Sequence, residues 1–333
     1  STTIRRALAL ILTYIYCLYL VSRYDLNELI HIVFIVCLYI AFFGLLAILI
    51  PGWGIDRDNL SYSSAVRGLS GHKNDFGRYM AIGLLLSFHM LYISPLSKKL
   101  VLVCGMLFLF MLLLSQAKTP IAVVLTVILV TPLIRFCVLG KFKAISSISV
   151  SKPVRILFLT VILPICVWVG IMVITGVIES LGKDLTLTGR TTIWEYGLMV
   201  GEDRPWLGAG YRTFWGEILT IDFDLYNPYW ESGKSFSNGH NGYIDIYLET
   251  GFIGLFIFLI FLLSLLKRCM LNLHSFTGKP MLHVFTLSLV VFYMFYSITE
   301  QVTLKQSELL WMLIMIFYLN TVKSVSNHKR RPV

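Results

Sequence analysis

The feature that most constrains the fold of this chain is a series of apolar segments of roughly bilayer-spanning length. A transmembrane helix needs about 20 mostly apolar residues. Six long segments meet this requirement, and three shorter ones meet it if they extend into their flanks. The segments are apolar on all sides of a helix, which favours helices over strands. We therefore predict an all-α polytopic membrane protein with about nine transmembrane helices, at residues 4–21, 29–50, 79–93, 100–114, 121–138, 154–177, 243–266, 281–298 and 309–322.

The composition excludes a soluble fold. Of 333 residues, 57% are hydrophobic and 14% are charged, whereas soluble domains usually carry about 25% charged residues. The net charge of +10 indicates membrane topology and anionic lipid headgroups rather than nucleic acid. The six cysteines lie within or at the ends of apolar segments, without the spacing of a zinc site, and we interpret them as packing residues.

Two long polar segments, 51–78 and 178–242, fall on the same side of the membrane if the helices alternate in direction. The opposite side holds most Lys and Arg residues of the connections and the tail, so the positive-inside rule makes that side cytoplasmic. For a bacterial inner (plasma) membrane the polar segments then face the periplasm. We predict a transmembrane bundle at 1–177 with its outer loop 51–78, a helical periplasmic lobe at 178–242, and C-terminal transmembrane helices with a cytoplasmic tail at 243–333. Because this arrangement places Ser1 outside, we expect further helices before it.

The second polar segment contains a predicted helix. Thr192 and Glu195 have the spacing of a capping box, which marks a helix start. Four residues would share one face of it, as in a helix on the membrane surface. They are Ile193, Trp194, Gly197 and Leu198. The Gly-Ala-Gly run at 208–210 has no strand–helix unit around it, so we predict a turn rather than a nucleotide loop.

Two side chains of this segment are candidates for chemistry. Arg190 would stand just before the helix N-terminus, where a cation beside free N–H groups forms an anion site. A solvated arginine in a turn is the alternative. His240 would lie at the membrane surface before the helix at 243–266, and histidine suits proton transfer near neutrality. A histidine that only forms hydrogen bonds at a helix mouth is the alternative.

The first polar segment is cationic at its end, through Arg67, Lys73 and Arg78, and it also contains His72. Positive charge is normally scarce on the outer side, so this charge favours an anionic ligand. Side chains that snorkel from the flank of a helix are the alternative. Lys118, a cation in the short outer connection SQAKTP, leads to the same expectation.

Five motifs follow one another along the chain: GLSGHKNDFGRY, SQAKT, TGRTTIW, DRPWLGAGYRTFW and HNGYIDIYLETGFIGL. In this order and with these spacings they resemble the O-antigen ligase and O-antigen polymerase superfamily. The elements HKN, AKT and GYRTFW are most similar to its exopolysaccharide-polymerase branch. The resemblance covers most of 68–255 and, more loosely, the flanking helices.

The resemblance implies a membrane glycosyltransferase of the GT-C type, with more helices than the nine predicted here. Such an enzyme takes a glycan from a polyprenyl (undecaprenyl) diphosphate carrier at the periplasmic face and passes it to an acceptor hydroxyl, with no metal or other cofactor. By motif, the arginines that hold the lipid diphosphate correspond to Arg67 and Arg190, and the histidine that acts on the acceptor corresponds to His240. Fixed guanidinium groups can stabilise a diphosphate leaving group without a metal ion.

The motifs supply further candidates for substrate binding. Lys73 and Lys118 would add positive charge, although many ligases have arginine where Lys118 stands. The full set of substrate-binding candidates is Lys73, Lys118, Arg78, Asn74, Arg204, Tyr211, Arg212 and Asn241. Aromatic residues of the lobe would stack on sugars or form an interfacial belt. They are Trp194, Trp206, Tyr211, Trp215, Tyr226 and Trp230.

The sequence leaves the acceptor open between another glycan, lipid A core and a protein. A transporter or flippase for polysaccharide lipids is the alternative from another class. Such proteins place ionisable residues within their helices and often contain internal repeats. Here His89 and His283 are isolated and no repeat is evident, which favours the enzyme. The expected partners are the lipid-linked glycan, its acceptor and membrane lipids, without nucleic acid.

Overall fold

The structure is a computed structural model that describes most of the chain. The described residues are 2–50, 52–56, 65–93, 96–139, 141–142, 145–149, 190–215, 238–274 and 280–329. Eight of the nine predicted transmembrane segments lie within these ranges and are helical. The segment 154–177 and the aromatic residues Tyr226 and Trp230 lie outside the described residues.

Helices dominate the described part of the chain. They are α1 Thr2–Arg23, α2 Leu26–Ile48, α3 Lys73–Ile93, α4 Lys98–Leu114, α5 Lys118–Leu139, α6 Arg190–Gly201, α7 Gly242–His274, α8 Pro280–Thr299 and α9 Leu309–Lys329. Two short antiparallel pairs join β1 Ile55–Asp56 to β2 Ala65–Val66 and β3 Lys141–Phe142 to β4 Ile145–Ser149. The all-α architecture is therefore confirmed apart from these two pairs.

Four described helical stretches are long and apolar enough to cross a membrane. They are Thr3–Arg23, Leu26–Ile48, Gly242–Leu271 and Leu282–Thr299. Large apolar side chains such as Leu12, Tyr39 and Phe256 are exposed along them, as expected of surfaces that lipid covers. The protein is thus a multi-pass helical membrane protein, and the count of nine spans stays a prediction.

The chain divides into two compact units. The first comprises Ser1–Tyr14, Leu133–Lys267 and Ser297–Met312, and the second comprises Ile15–Pro132, Arg268–Tyr296 and Leu313–Val333. The predicted boundaries near 177 and 242 both fall in the first unit, and they stay predictions.

Close helix packing characterises the second unit, where α2, α3 and α4 pack against one another. Phe34 of α2 and Phe108 of α4 meet edge to face, with ring centroids 5.7 Å apart. Gly83 of α3 permits this arrangement, because a Cβ there would lie 2.7 Å from the Phe108 ring. A larger residue at this position would push the ring and its helix away.

Helix α3 begins at Lys73, six residues before its predicted start at 79. Its first turns are charged yet partly buried, since Arg78 is only 2% exposed and forms an ion pair of 2.9 Å with Asp75. The Arg78 guanidinium also lies over the rings of Tyr79 and Tyr296. These partners stabilise the buried charge of Arg78. Residues 73–78, which hydropathy assigns to a loop, can therefore form the first turns of α3.

Helix α6 begins at Arg190, two residues earlier than the predicted capping box, so Thr192 lies inside the helix and Arg190 is its first residue. Its apolar face packs within the first unit instead of lying free for a membrane surface. Ile193 and Gly197 of that face are buried, whereas Leu198 is 38% exposed. One hydrophobic cluster of buried residues in the first unit consists of Ile193, Tyr196, Phe214, Trp215 and Leu248.

Helix α7 is interrupted at Gly251, whose φ is +68°. At the break, two backbone N–H groups lose their helical acceptors and two carbonyls lose their helical donors. Backbone groups of the turn after α6 provide new hydrogen-bond partners for all four. The replacements run from Ala209 N to Leu248 O at 2.9 Å, Gly210 N to Glu249 O at 2.9 Å, Phe252 N to Pro205 O at 2.8 Å, and Ile253 N to Trp206 O at 3.3 Å. The break is therefore a docking site for this turn.

Glycines make the docking of the turn possible. A Cβ on Gly251 would lie 2.2 Å from the Trp206 carbonyl, and a Cβ on Gly208 would lie 2.5 Å from the backbone of Glu249. Gly208 and Gly210 both have positive φ, at +66° and +106°. The predicted turn at 208–210 is thus confirmed, and its role is to hold α7.

Candidate functional site

The predicted site residues lie in both units. The first unit contains Arg190, Arg204, Tyr211, Arg212, His240 and Asn241. The second unit contains Arg67, Lys73, Asn74, Arg78 and Lys118.

His240 is held by an unusual backbone. Its φ is +51°, in the left-handed region that non-glycine residues seldom occupy. The Asn238 side chain accepts a hydrogen bond from the His240 N–H at 2.9 Å, which stabilises this conformation locally. The imidazole is 38% exposed, so a fixed main chain presents a ring that solutes can reach. Strained residues of this kind cluster at functional sites.

Gly239 fixes the loop from the other side. Its carbonyl accepts a hydrogen bond from Trp194 Nε1 at 2.6 Å, and its N–H donates to Asp245 Oδ1 at 2.9 Å. The same Asp245 oxygen accepts from Trp215 Nε1 at 2.8 Å. A Cβ on Gly239 would lie 2.6 Å from the Trp215 ring. Two tryptophans and a buried carboxyl therefore set the position of the neighbouring His240.

Glu300, just after α8, joins the two candidates of the first unit. Its Oε1 accepts from Arg190 Nη2 at 2.9 Å, and its Oε2 lies 3.2 Å from His240 Nδ1. Arg190 Nη1 also donates to the Thr299 carbonyl. The Arg190 and Glu300 side chains are 14% and 11% exposed. Arg190 and His240 come from separate motifs, and one carboxylate brings them together.

The charge state of Glu300 follows from these contacts. Burial disfavours the charged carboxylate, but the hydrogen bond to His240 and the charge of Arg190 outweigh burial and lower the pKa of Glu300 to about 2. The carboxylate is therefore ionised at neutral pH. Of the five guanidinium donors of Arg190, the contacts to Glu300 and Thr299 engage one on each terminal nitrogen, which leaves donors for an anion.

Within the same unit, Tyr211 and Arg212 contact the segment that follows α8. Tyr211 donates its phenol to the Leu304 carbonyl at 2.5 Å, and burial raises its pKa to about 12, so it stays a donor at neutral pH. Arg212 Nη1 donates to Gln301 Oε1 at 3.2 Å. These contacts give both residues structural roles, and their sugar or phosphate contacts stay predictions.

The other two candidates of the first unit differ in their surroundings. Asn241 is 7% exposed, and its Oδ1 accepts from the N–H groups of Tyr243 and Ile244 at 3.0 and 3.2 Å. It therefore caps α7. Arg204 is exposed in the turn after α6.

In the second unit, Arg67 directly follows the pair of β1 and β2. Its N–H donates to the Gly54 carbonyl at 2.9 Å, and its Nε donates to the Trp53 carbonyl at 3.3 Å. Gly68 follows with φ +56°, and a Cβ there would lie 2.7 Å from the Phe76 ring. This packing fixes the main chain at Arg67, whose side chain is half-buried.

The remaining candidates of the second unit lie at the starts of α3 and α5. Lys73 is 9% exposed and begins α3, and the next carbonyl, of Asn74, accepts from the Tyr296 phenol at 3.2 Å. Arg78 is buried against its aromatic and acidic partners. Lys118 is exposed at the first position of α5. The first turn of α3 is thus more buried than expected of a solvated binding loop.

Sequence reasoning missed Glu300 and Asp245. Glu300 follows the apolar segment 281–298, and an acid at the end of such a segment is the signal that could have found it. Asp245 follows His240 by five residues, one helical turn into α7. In the part of the chain that the structure describes, no group of three or more His, Cys, Asp or Glu side chains is placed to hold a metal ion.

The fold and the site define a multi-pass helical membrane protein in which arginine, histidine and glutamate side chains meet near the ends of apolar helices. A profile of the O-antigen ligase family matches residues 82–259, which is more than half of the chain. The chain therefore belongs to the O-antigen ligase family, as the motifs indicated.

A curated relative supports the more specific part of the resemblance. The exopolysaccharide production protein ExoQ of Rhizobium meliloti (strain 1021) is 26% identical over 209 residues, which are 60% of this chain and 45% of that protein. The matched part of the chain thus spans less than half the length of this relative.

Proposed function

We propose that this protein is a GT-C-like membrane glycosyltransferase of the bacterial inner membrane. It transfers a glycan from an undecaprenyl diphosphate-linked donor to an acceptor hydroxyl at the periplasmic face, with about nine helices in this chain and no metal ion. Family membership supports the reaction class. The printed name of the relative, an exopolysaccharide production protein, favours another glycan over lipid A core or a protein as the acceptor.

The observation that carries the proposal is the joining of Arg190 and His240 by Glu300. A glycosyl transfer needs two functions close together, one that stabilises the leaving group and one that removes the proton of the attacking hydroxyl. Arginine suits the first function, because its planar fork of donors matches phosphate oxygens. A histidine with one ring nitrogen held and the other available suits the second.

In the proposed step, the acceptor oxygen forms a bond to the anomeric carbon of the donor, and the proton of the acceptor hydroxyl passes to Nε2 of His240. The bond between the anomeric carbon and the phosphate oxygen breaks, and the electron pair leaves with the undecaprenyl diphosphate. Arg190 donates hydrogen bonds to the leaving group as negative charge develops on it, and Arg67, Lys73 and Lys118 are assigned to the donor diphosphate by their motifs.

Donor binding tests the arginine part of this proposal. Arg190→Ala and Arg67→Ala should each weaken binding of a lipid-linked glycan about 10- to 100-fold, since hydrogen bonds to charged groups contribute about 1.5–3 kcal/mol. Arg190→Lys should restore little, because a point charge cannot reproduce a bidentate fork. The measurement is binding of radiolabelled donor to purified protein in lipid nanodiscs, with melting curves to check that each variant is folded.

Arg5→Ala is the matched control, because Arg5 is an exposed arginine of α1. It should bind the donor as the wild type does. Unchanged binding in both test variants would refute the anion site. Donor that crosses the bilayer without being transferred would favour the transporter or flippase.

A further inference from the structure

Glu300 stands between two groups that the proposed reaction uses, yet it lies 110 residues from Arg190 and 60 residues from His240 along the chain. No motif contains it. Each of its oxygens has one of the two partners, so the carboxylate is shared rather than committed to a single ion pair.

We propose that Glu300 is a positioning residue of the transfer reaction, which sets the tautomer of His240 and holds Arg190 at a fixed distance from it. This inference rests on the proposed glycosyl transfer. Glu300 touches neither substrate in this scheme and acts through the two side chains that do.

The ring of His240 is the first group that Glu300 positions. An ionised carboxylate only accepts hydrogen bonds, so the neutral imidazole must carry its proton on Nδ1, facing Glu300. Nε2 then has a free lone pair, which is the form a proton acceptor needs. When Nε2 takes the proton of the hydroxyl, the ring becomes cationic, and the adjacent carboxylate stabilises that charge.

Arg190 is the second group that Glu300 positions. Glu300 and the Thr299 carbonyl hold its two terminal nitrogens, so the guanidinium plane is oriented before any substrate arrives. Glu300 also balances the positive charge of Arg190. The pair therefore presents oriented N–H donors to an anion rather than a strong positive field. A diphosphate placed on the remaining donors stands at a set distance from His240, and this geometry lowers the entropic cost of the transfer.

Glu300→Gln should have a specific defect. The guanidinium has no acceptor, so the amide oxygen of the new glutamine must face Arg190. Its NH2 group then faces His240 Nδ1 and donates to it. This contact forces the proton of the ring onto Nε2, and His240 can no longer accept a proton from the acceptor hydroxyl.

The test compares Glu300→Gln with the wild type in three measurements on purified full-length protein. Turnover should fall about 10²- to 10⁴-fold, as expected when a positioned base is lost. Binding of the lipid-linked donor should change less than about threefold, because Arg190 keeps its acceptor. In ¹⁵N-histidine NMR spectra the neutral His240 ring, assigned by its loss in His240→Gln, should change from the Nδ1–H to the Nε2–H tautomer.

Two further variants separate positioning from folding. Glu308→Gln changes another buried carboxyl of the same unit, which pairs with Lys305 at 3.8 Å, and should leave turnover and tautomer unchanged. Glu300→Asp keeps the charge with a shorter reach, so it should keep the Nδ1–H tautomer and regain part of the turnover.

Wild-type turnover in Glu300→Gln would overturn the inference, as would lost turnover with an unchanged tautomer. If the glutamine variant does not fold, the wild-type spectrum decides alone, because an Nε2–H ring there contradicts the positioning role. Failure of the underlying function has a different signature, since the wild type itself would then form no product from donor and acceptor. If Glu300→Gln is active and His240→Gln is inactive, the proposed transfer reaction is retained and the positioning role of Glu300 is rejected.

Discussion

At the scale of single residues, the charges around Glu300 govern how the site responds to pH. Arg190 and Glu300 balance one another at neutral pH, since the contacts lower the pKa of Glu300 to about 2. In the proposed reaction, the proton transferred to His240 would therefore change the net charge of these three side chains.

The lowered pKa of Glu300 predicts how stability depends on pH. The ordinary value is 4.5 and the folded value about 2, so the unfolded chain binds the proton first as the pH falls. The stability that the carboxylate contributes is complete above about pH 4.5 and is lost as the pH falls towards 2. The melting temperatures of the wild type and Glu300→Gln should therefore converge as the pH falls from about 4.5 towards 2. The melting temperature of Glu202→Gln, a change at an exposed position, should follow that of the wild type at every pH. A gap that stays constant would contradict the assigned contacts.

How far the sequence predicts this site depends on the kind of residue. His240 and Arg190 could be named because they belong to motifs and have side chains with recognisable chemistry. Glu300 could not, because its partners are distant in sequence and only the folded chain brings them together. Asn241 has a structural role that the sequence did not predict, since it caps α7, and its contact with substrate stays a prediction.

At the scale of elements, the break in α7 is the most informative feature. A transmembrane helix cannot leave backbone groups unpaired in lipid. The turn at 205–210 provides the four missing partners, and it belongs to the same unit as His240. The motifs DRPWLGAG and LETGFIG thus form the two sides of one backbone contact, between the turn after α6 and the break in α7.

Gly251→Ala tests this backbone contact. The added Cβ would lie 2.2 Å from the Trp206 carbonyl at a φ of +68°, so the turn must move and leave hydrogen bonds unmade. We expect a loss of at least about 2 kcal/mol, from backbone strain and unpaired groups, seen as a lower melting temperature. Gly71→Ala is the control, because a Cβ there meets open space. Equal stability of the two variants would show that the turn does not depend on the break.

The sequence predicts which elements form better than where they begin. Apolar segments located the described transmembrane helices, and glycines located the turn at 208–210. The start of α3 was placed too late, because Asp75 and Arg78 lower the local hydropathy although they pair with each other in the fold. The start of α6 was also placed too late, because the spacing of Thr192 and Glu195 was taken for a capping box. The packing face of α6 was assigned to the membrane surface, since an apolar stripe does not reveal whether lipid or protein covers it.

At the scale of the whole molecule, the charge asymmetry predicts that the segment with Arg190 faces the periplasm. Single cysteines at Glu202 and Lys99 report on the two sides, because both positions are exposed. A membrane-impermeant maleimide added to spheroplasts should label Glu202→Cys and should label Lys99→Cys only after lysis. Cys17, Cys37, Cys104 and Cys269 are buried, and replacing the other two cysteines, Cys137 and Cys166, in the parent protein should leave little background. The reverse pattern would place the site on the cytoplasmic side and contradict the proposed donor face.

The central claim is that His240 accepts the proton in a glycosyl transfer whose donor the arginines hold. The most direct measurement combines purified protein, undecaprenyl diphosphate-linked glycan and acceptor with a metal chelator, and records product formation and donor binding for the wild type and His240→Gln. We expect the wild type to form product despite the chelator, and His240→Gln to lose about 10²- to 10⁴-fold in turnover while it binds the donor normally. Wild-type turnover in His240→Gln would remove this residue from the mechanism, and loss of wild-type activity on chelation would contradict a transfer that needs no metal.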